Sequence, residues 1–304
     1  MSYNAGRESR LNTPETPLPP SEPGEPASES PGAAAPAAAA SEASLAELAL
    51  PEDLRAPWSW LDLLFFLLFF LASSVVLTWM VALGAVIWFG VRPWDIEKSV
   101  GTKATILVVS QGLSSGATLL YLFAMVRLRH RGPFWRTIGW RKLHPRNMAP
   151  AMATFACVLG GAALAMAIQM TSLLVGKKTN LPIEELFRDR RSVLLLMALG
   201  ILVAPLVEET VFRGYIYPVV ARRFGVGTGV LGTGALFGMA HAVQLWGGWG
   251  QIALLMVVGI VLTYVRARTG TVLASYFFHL GYNTILFAGF YFATGGLRHL
   301  PGGS

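Results

Sequence analysis

The chain has 304 residues, of which 54% are hydrophobic and 13% charged, and its mean hydropathy is +0.53. This composition is too apolar for a soluble globular protein and predicts a polytopic membrane protein. The net charge of +7 does not indicate a nucleic-acid partner, because Lys and Arg at the ends of membrane helices commonly face anionic lipid. The single cysteine, Cys157, excludes an intrachain disulfide.

Residues 1–57 differ in composition from the rest of the chain. They are acidic and rich in Pro, Ala and Ser, with too little apolar bulk to form a core, so we predict a disordered tail. Within this tail, residues 43–50 are amphipathic and predict a short helix just before the membrane. Residues 58–304 are expected to form a helical membrane domain, in which residues 190–290 are the core of the functional site.

The apolar segments predict an all-α protein with about seven transmembrane helices, in a range of six to eight, because each span needs ~20 apolar residues. The first segment is long enough to tilt or to break near Gly84, and Pro205 interrupts the fourth. A proline inside a span is tolerated mainly where the backbone is buried in protein or lines a wet cavity. The segments lie at about 60–89, 104–126, 149–175, 192–210, 229–246, 250–266 and 271–294.

The distribution of Lys and Arg predicts the orientation. Residues 127–147 contain seven basic residues and no acidic residue, which places this connection on the cytoplasmic side. The N-terminus then lies on the same side. We therefore expect a multi-pass protein of the plasma (inner) membrane, with a cavity among its C-terminal four spans that opens to the cytoplasmic leaflet.

Glu208 and Glu209 are the only acidic residues that the sequence carries toward the interior of an apolar segment, three and four residues after Pro205. A carboxylate at the centre of a bilayer costs about 2.5–3.5 kcal/mol on insertion scales, so the default interpretation is a functional site. Glu209 and Arg213 are four residues apart and can pair, whereas Glu208 points about 100° away around the helix axis. One acid can thus be held by Arg213 while the other faces a cavity.

Three further polar residues lie in predicted spans: His241 in the fifth, and His279 and Asn283 in the seventh. The spacing of four residues places His279 and Asn283 on one helix face. A carboxylate can take a proton from water, imidazoles can orient that water or bind Zn²⁺, and an Asn amide can donate to an oxyanion. Each residue alone is more often structural, since polar side chains also bridge membrane helices, but together they favour water activation.

These residues resemble three motifs of the CPBP intramembrane proteases, the type II CAAX prenyl endopeptidase or abortive-infection-like group. Glu208-Glu209-Thr-Val-Phe212-Arg213-Gly214 is similar to the first motif, Phe237-x-x-x-His241 to the second, and His279-x-x-x-Asn283 to the third. The motifs occur in family order on separate predicted spans, and the resemblance covers about residues 190–290. It implies an all-helical endopeptidase that cleaves a membrane-embedded or lipid-anchored protein or peptide within the bilayer.

The resemblance also implies roles for individual residues. Glu208 would activate the hydrolytic water, His241 and His279 would position it or bind a metal, and Asn283 would stabilise the oxyanion. Because members of the group are often called metalloproteases, the resemblance also implies an alternative in which Glu208, His241 and His279 are ligands of Zn²⁺ or another divalent metal. The sequence does not determine whether a metal takes part or whether the substrate is prenylated. Three more residues are expected to support the site: Glu209, Arg213 and Phe237.

Three other interpretations remain. Gly112-x-Ser114-x-Gly116 matches the pattern of serine hydrolases, but it lies inside an apolar span without the strand that gives this motif its meaning. A proton-coupled transporter could use buried Glu and His as a relay, although it would usually show broken helices in both halves. The main alternative is a non-catalytic immunity or scaffold protein of the same fold, which would not need the complete set of motif residues.

Overall fold

A computed structural model describes residues 50–145, 147–175 and 181–301, and within these ranges every regular element is helical. The predicted disorder of the tail up to residue 49, and all but the last residue of the amphipathic stretch 43–50, lie outside the described residues. We number the helices α1 to α9: Trp60–Phe89, Pro93–Lys98, Val100–Arg129, Phe134–Thr137, Pro150–Val175, Arg190–Phe224, Val226–Ala240, Trp249–Thr269 and Val272–Ala293. Short 3₁₀ turns lie at Glu52–Leu54 and Pro182–Arg188.

Five of these helices, α1, α3, α5, α6 and α8, are long and apolar enough to cross a membrane. The predicted seventh span corresponds to α9, which has 22 residues. The predicted fifth span, 229–246, corresponds to α7, which has only 15 residues and ends at Ala240. The prediction of an all-helical polytopic membrane protein is confirmed. The fifth segment ends at Ala240, six residues before its predicted end at residue 246.

Helix α1 runs for 30 residues without interruption, so of the two expected alternatives, a tilt or a break near Gly84, the break does not occur. A glycine alone does not interrupt a helix in an apolar environment, because every backbone group there still needs its intrahelical partner. The helix is capped at its start by the Asp62 carboxylate, which accepts from the backbone and the hydroxyl of Ser59 at 2.8 and 2.9 Å. It ends at Gly90, whose left-handed backbone (φ 64°) terminates the helix without steric cost.

Helix α6 is 35 residues long and contains the predicted fourth span, 192–210. Two π-helical stretches, Leu199–Val203 and Glu209–Ile216, flank the α-helical turn Ala204–Glu208. Pro205 lies in that turn and has no backbone N–H, so one hydrogen bond to the preceding turn is not formed. The preceding turn is the wider π stretch, which accommodates this gap in the hydrogen-bond pattern. The proline therefore does not end the helix, and the two acidic residues lie at the junction between the turn and the second π stretch.

Helices α5 and α9 pack along each other at very short range. A Cβ atom on Gly161 would overlap the carbonyl of Phe278, and one on Gly281 would overlap the carbonyl of Val158. Small residues permit such close backbone approach between membrane helices, where van der Waals contact is a main source of association. This contact fixes the position of α9 on both sides of residue 279.

The packed part of the chain begins before the predicted boundary at residue 57. Leu54 and Trp58 are buried, and the Trp58 indole donates to the carbonyl of Tyr215 at 2.8 Å. The Arg222 guanidinium donates to the Trp58 carbonyl at 2.9 Å. The average composition of residues 1–57 does not reveal this packed segment, because only a few contacts hold it. Leu54, Trp58 and Arg222 are enough to attach it to the end of α6.

The glycine contact between α5 and α9 makes a testable prediction. Gly281→Ala should lower the free energy of unfolding by about 1–3 kcal/mol, because the added methyl group forces the two backbones apart. Gly289→Ala in the same helix has open space around it and should be neutral or stabilising by up to about 1 kcal/mol. Thermal unfolding midpoints in detergent micelles compare the two, and equal midpoints would contradict the assigned contact.

Candidate active site

Glu209 and Arg213 form an ion pair in which both side chains are 0% exposed, with 2.8 Å between Arg213 Nη1 and Glu209 Oε1. This is the pairing expected from their spacing. The guanidinium also donates to Thr263 Oγ1 at 3.2 Å and to the Gly259 carbonyl at 3.0 Å, both on α8. Hydrogen bonds to a buried charged pair offset part of the cost of burying it, and these two bonds join α6 to α8.

His279 on α9 is the third member of this buried network. Its Nδ1 atom lies 2.9 Å from Glu209 Oε1, and the carboxylate accepts a hydrogen bond from it. Since Nδ1 carries the proton in this arrangement, Nε2 of the neutral ring is an acceptor. Nε2 lies 3.8 Å from Glu208 Oε2. Glu209 thus fixes the orientation and tautomer of a ring whose other nitrogen faces Glu208.

The sequence predicted that His241 lies inside a helical span. In the structure it is the first residue after the end of α7. Its backbone N–H bonds to the Gly238 carbonyl, and its ring Nδ1 donates to the Phe237 carbonyl at 2.9 Å. The side chain therefore takes the acceptor that the next helical turn would have used, which ends the helix. Its Nε2 atom is an acceptor and lies 3.9 Å from Glu208 Oε1.

Glu208 is thus faced by two imidazole nitrogens that are both acceptors. Its side chain is 25% exposed and that of His241 is 22% exposed, so small molecules can reach the group. Acceptors that converge in this way need a donor between them. A water about 2.8 Å from a carboxylate oxygen and from a ring nitrogen bridges separations of 3.8–3.9 Å without strain. The arrangement is suited to bind and polarise a water molecule.

The same three side chains do not have the spacing of a zinc site. Donor atoms bound to one tetrahedral Zn²⁺ at about 2.0–2.1 Å lie about 3.3–3.4 Å from one another, closer than the 3.8 and 3.9 Å between Glu208 and the two histidines. In the described part of the chain, no three His, Cys, Asp or Glu residues have the geometry of a metal site.

Asn283 lies one helical turn beyond His279 on α9. Its amide Nδ2 donates to the Gly200 carbonyl at 2.7 Å, within the first π stretch of α6. One of its two amide hydrogens is therefore used to join α9 to α6, and the other is available to a ligand. The oxyanion role that the resemblance implies for this residue stays a prediction.

The Phe237 ring is buried among the three motifs. Its centroid lies 4.9 Å from that of His241 and 5.8 Å from that of His279. The guanidinium carbon of Arg213 lies 4.5 Å from the ring centre, a cation–π distance. Phe212 of the first motif packs edge-on against it at 5.2 Å. Phe237 therefore packs on the guanidinium of the buried ion pair and against both histidine rings.

Sequence analysis did not identify the residues that complete the network on neighbouring helices: Gly200, Gly259 and Thr263. Gly200 and Gly259 contribute only backbone carbonyls, which no sequence pattern marks. Thr263 follows Gly259 by four residues and donates to its carbonyl at 2.7 Å, but a threonine that bonds back to its own helix is common in any span.

A cavity of about 310 Å³ is lined by residues that neighbour the motifs in sequence, although none of the side chains of Glu208, His241, His279 and Asn283 lines it. Val243 and Gln244, which follow His241, line one side, and Leu199 of α6 lines another. Ser114 forms part of the α3 wall, so the serine of the Gly-x-Ser-x-Gly pattern is a helix side chain on this cavity. The cavity lies in the half of the bundle away from residues 127–147, whereas we expected access on their side. The side from which a substrate enters stays a prediction.

Comparison with known families supports the resemblance seen in the motifs. The family model described as Rce1-like, type II CAAX prenyl endopeptidase Rce1-like, matches residues 190–285. The matched range runs from the start of α6 into α9 and contains Glu208, His241, His279 and Asn283. The resemblance to the CPBP group is thereby confirmed for residues 190–285. Comparison with curated proteins and with solved structures gives no significant match.

The buried ion pair predicts which of the acidic positions controls stability. Arg213→Gln removes the guanidinium that compensates the buried Glu209 carboxylate, so the free energy of unfolding should fall by about 3–5 kcal/mol. Glu208→Gln changes a partly exposed side chain and should alter stability by no more than about 0.5 kcal/mol. Tryptophan fluorescence during heating in micelles measures both variants. Similar unfolding midpoints for the two would mean that the pair does not support the fold.

Proposed function

We propose that this chain, whose residues 190–285 match the Rce1-like family, is an intramembrane endopeptidase that hydrolyses a peptide bond of a membrane-associated protein. The observation that carries the proposal is the Glu208 carboxylate, which faces two imidazole nitrogens at 3.8 and 3.9 Å. Both rings are fixed through their other nitrogen, one by Glu209 and one by the Phe237 carbonyl. A purely structural cluster would not leave three acceptors facing a reachable space.

In the proposed reaction, a water donates one hydrogen bond to Glu208 and one to an imidazole Nε2. Glu208 takes a proton as the water oxygen bonds to the carbonyl carbon of the scissile peptide, and the C=O electron pair moves to oxygen. The tetrahedral intermediate then collapses as its C–N bond breaks. The proton held by Glu208 passes to the leaving nitrogen, which restores the carboxylate.

The oxyanion needs a donor that is already oriented toward it. We assign this role to the second amide hydrogen of Asn283, because the first is held by the Gly200 carbonyl and so limits rotation of the side chain. The positions of His241 and His279 are supported in the same way by hydrogen bonds from their Nδ1 atoms. Preorganised donors and acceptors of this kind need not rearrange as charge develops.

The substrate class is inferred from the surroundings of the site. A partly buried hydrolytic centre among apolar helices receives a peptide that is itself embedded in, or anchored to, the bilayer. The adjoining cavity has apolar walls interrupted by polar side chains, including Ser110, Gln111 and Gln244. Such side chains can bond to the backbone groups of an unwound segment, which must find partners inside a membrane.

The central test is the loss of cleavage on removal of the Glu208 carboxylate. Glu208→Gln should reduce the cleavage of membrane proteins by at least about 10²-fold, because the amide cannot take a proton from water. Proteomics of membrane fractions from wild-type and variant cells measures carboxylate-dependent peptides. Asp95→Asn, an acidic position in the short helix α2, is the control and should match wild type. Identical peptide patterns in Glu208→Gln and wild type would favour the non-catalytic scaffold.

A separate experiment tests the participation of a metal. We expect the purified protein to retain its turnover after exhaustive chelation, with metal content near zero, because a water bound by Glu208 and a histidine suffices for the proposed chemistry. A parallel sample receives Zn²⁺ after chelation. Loss of turnover on chelation, with recovery only when metal is restored, would overturn this expectation and assign Glu208, His241 and His279 as ligands.

A further inference from the structure

A second cavity, of about 720 Å³, lies at the end of the bundle that carries residues 127–147, and no step of the proposed reaction uses it. It is formed where the segment before α1 meets the connection between α3 and α5. Its charged and titratable lining side chains are Glu52, Asp53, Arg136, Arg141, Lys142 and His144.

The charges of this cavity are unevenly balanced. Asp53 is already neutralised by the buried Arg266 at 2.9 Å. Glu52 is then the carboxylate that faces the remaining basic side chains, with Arg136 at 3.0 Å and Arg141 at 3.3 Å. The Arg136 hydrogen bond and the nearby Arg141 charge hold the pKa of Glu52 below its usual value, so it is charged at neutral pH. Lys142 has no ion pair among the described residues, which leaves an excess of positive charge.

The ion pair of Glu52 with Arg136 is exposed, whereas the Arg141 side chain of the second pair is only 25% exposed. The side chains of Arg136 and Glu52 are 72% and 56% exposed. Exposed pairs of this kind contribute little to stability, so an external anion can replace the carboxylate at small cost. Arginine forks bind phosphate oxygens in the same paired geometry in which they bind carboxylates. Glu52 therefore occupies a position that suits a phosphate group.

The position of the cavity indicates where such a phosphate comes from. Trp135 precedes Arg136 and is 54% exposed, as expected of a tryptophan at a membrane–water interface. The apolar faces of α1 and α3 end at this same level. Basic pockets between membrane helices on the side rich in Lys and Arg are recognised sites for anionic lipid headgroups. A free phosphate has the same chemistry, but it lacks the acyl chains that would hold it at this level.

We propose that this cavity binds the phosphate group of an anionic phospholipid, and that Glu52 occupies the position when no lipid is bound. The cavity wall also contacts the catalytic helices. Trp140 donates from its indole to Thr210 Oγ1 at 3.0 Å, next to Glu209. The Arg141 carbonyl accepts from Thr271 Oγ1 at 2.6 Å, at the start of α9. A headgroup bound here would thus be linked to the middle of α6, next to Glu209, and to the start of α9.

Native mass spectrometry of the purified full chain tests the proposal by titration with phosphatidylglycerol, phosphatidylcholine and inorganic phosphate in separate arms. Lys142→Gln should weaken phosphatidylglycerol binding about five-fold, and Arg136→Gln with Arg141→Gln should weaken it further, since each basic residue contributes a similar amount. Glu52→Gln should strengthen it, because the internal competitor is lost. Arg268→Gln, an exposed arginine of α8 outside the cavity, is the matched control and should bind as wild type.

The outcomes separate the sources of the anion. Selective retention of phosphatidylglycerol over phosphatidylcholine, with little effect of inorganic phosphate, supports a lipid site. Equal loss of binding in Arg268→Gln and Lys142→Gln would reduce the effect to general surface charge and overturn the proposal. Displacement of the lipid by millimolar inorganic phosphate would assign the site to a soluble anion. Lys142→Gln leaves both Glu52 ion pairs in place, so its result does not depend on whether the double variant folds.

Discussion

The ion pair of Glu209 and Arg213 is the interaction on which the rest of the site depends. Both side chains are fully buried, and together they contact α8 through Thr263 and α9 through His279. An isolated charge would be intolerable at this depth, so each member requires the others. The pair thereby fixes the relative positions of the three helices that enclose the site.

Two adjacent glutamates have different chemistry because they point in different directions from one helix. The Arg213 guanidinium and the His279 imidazole both bond to Glu209 Oε1, which holds this carboxylate in the interior of the bundle. Glu208 faces the Nε2 atoms of His241 and His279 and remains partly exposed. Glu209 thus orients one of the two rings that face Glu208.

Helices α6 and α7 depart from regular α-helical geometry at or near the motif residues. The first π stretch of α6 presents the Gly200 carbonyl to Asn283, and the second begins at Glu209. Helix α7 ends where the His241 ring takes over a backbone acceptor. By contrast, α5 and α9 are uninterrupted α-helices that pack closely through Gly161 and Gly281. A further π stretch, Met125–Arg129, ends α3 beside the basic connection, so irregular helix geometry is not confined to the motif residues.

The sequence by itself determined the membrane class, the helical fold and the motif residues, because apolar length and the spacing of Glu209 and Arg213 are local properties. It also predicted two roles for the adjacent acids, since a helix separates neighbouring side chains by about 100°. Only the tertiary structure decided that the Glu209 carboxylate also binds His279, and that α7 stops at Ala240. These features depend on contacts between distant segments and on backbone carbonyls, which all residues share and no sequence pattern distinguishes.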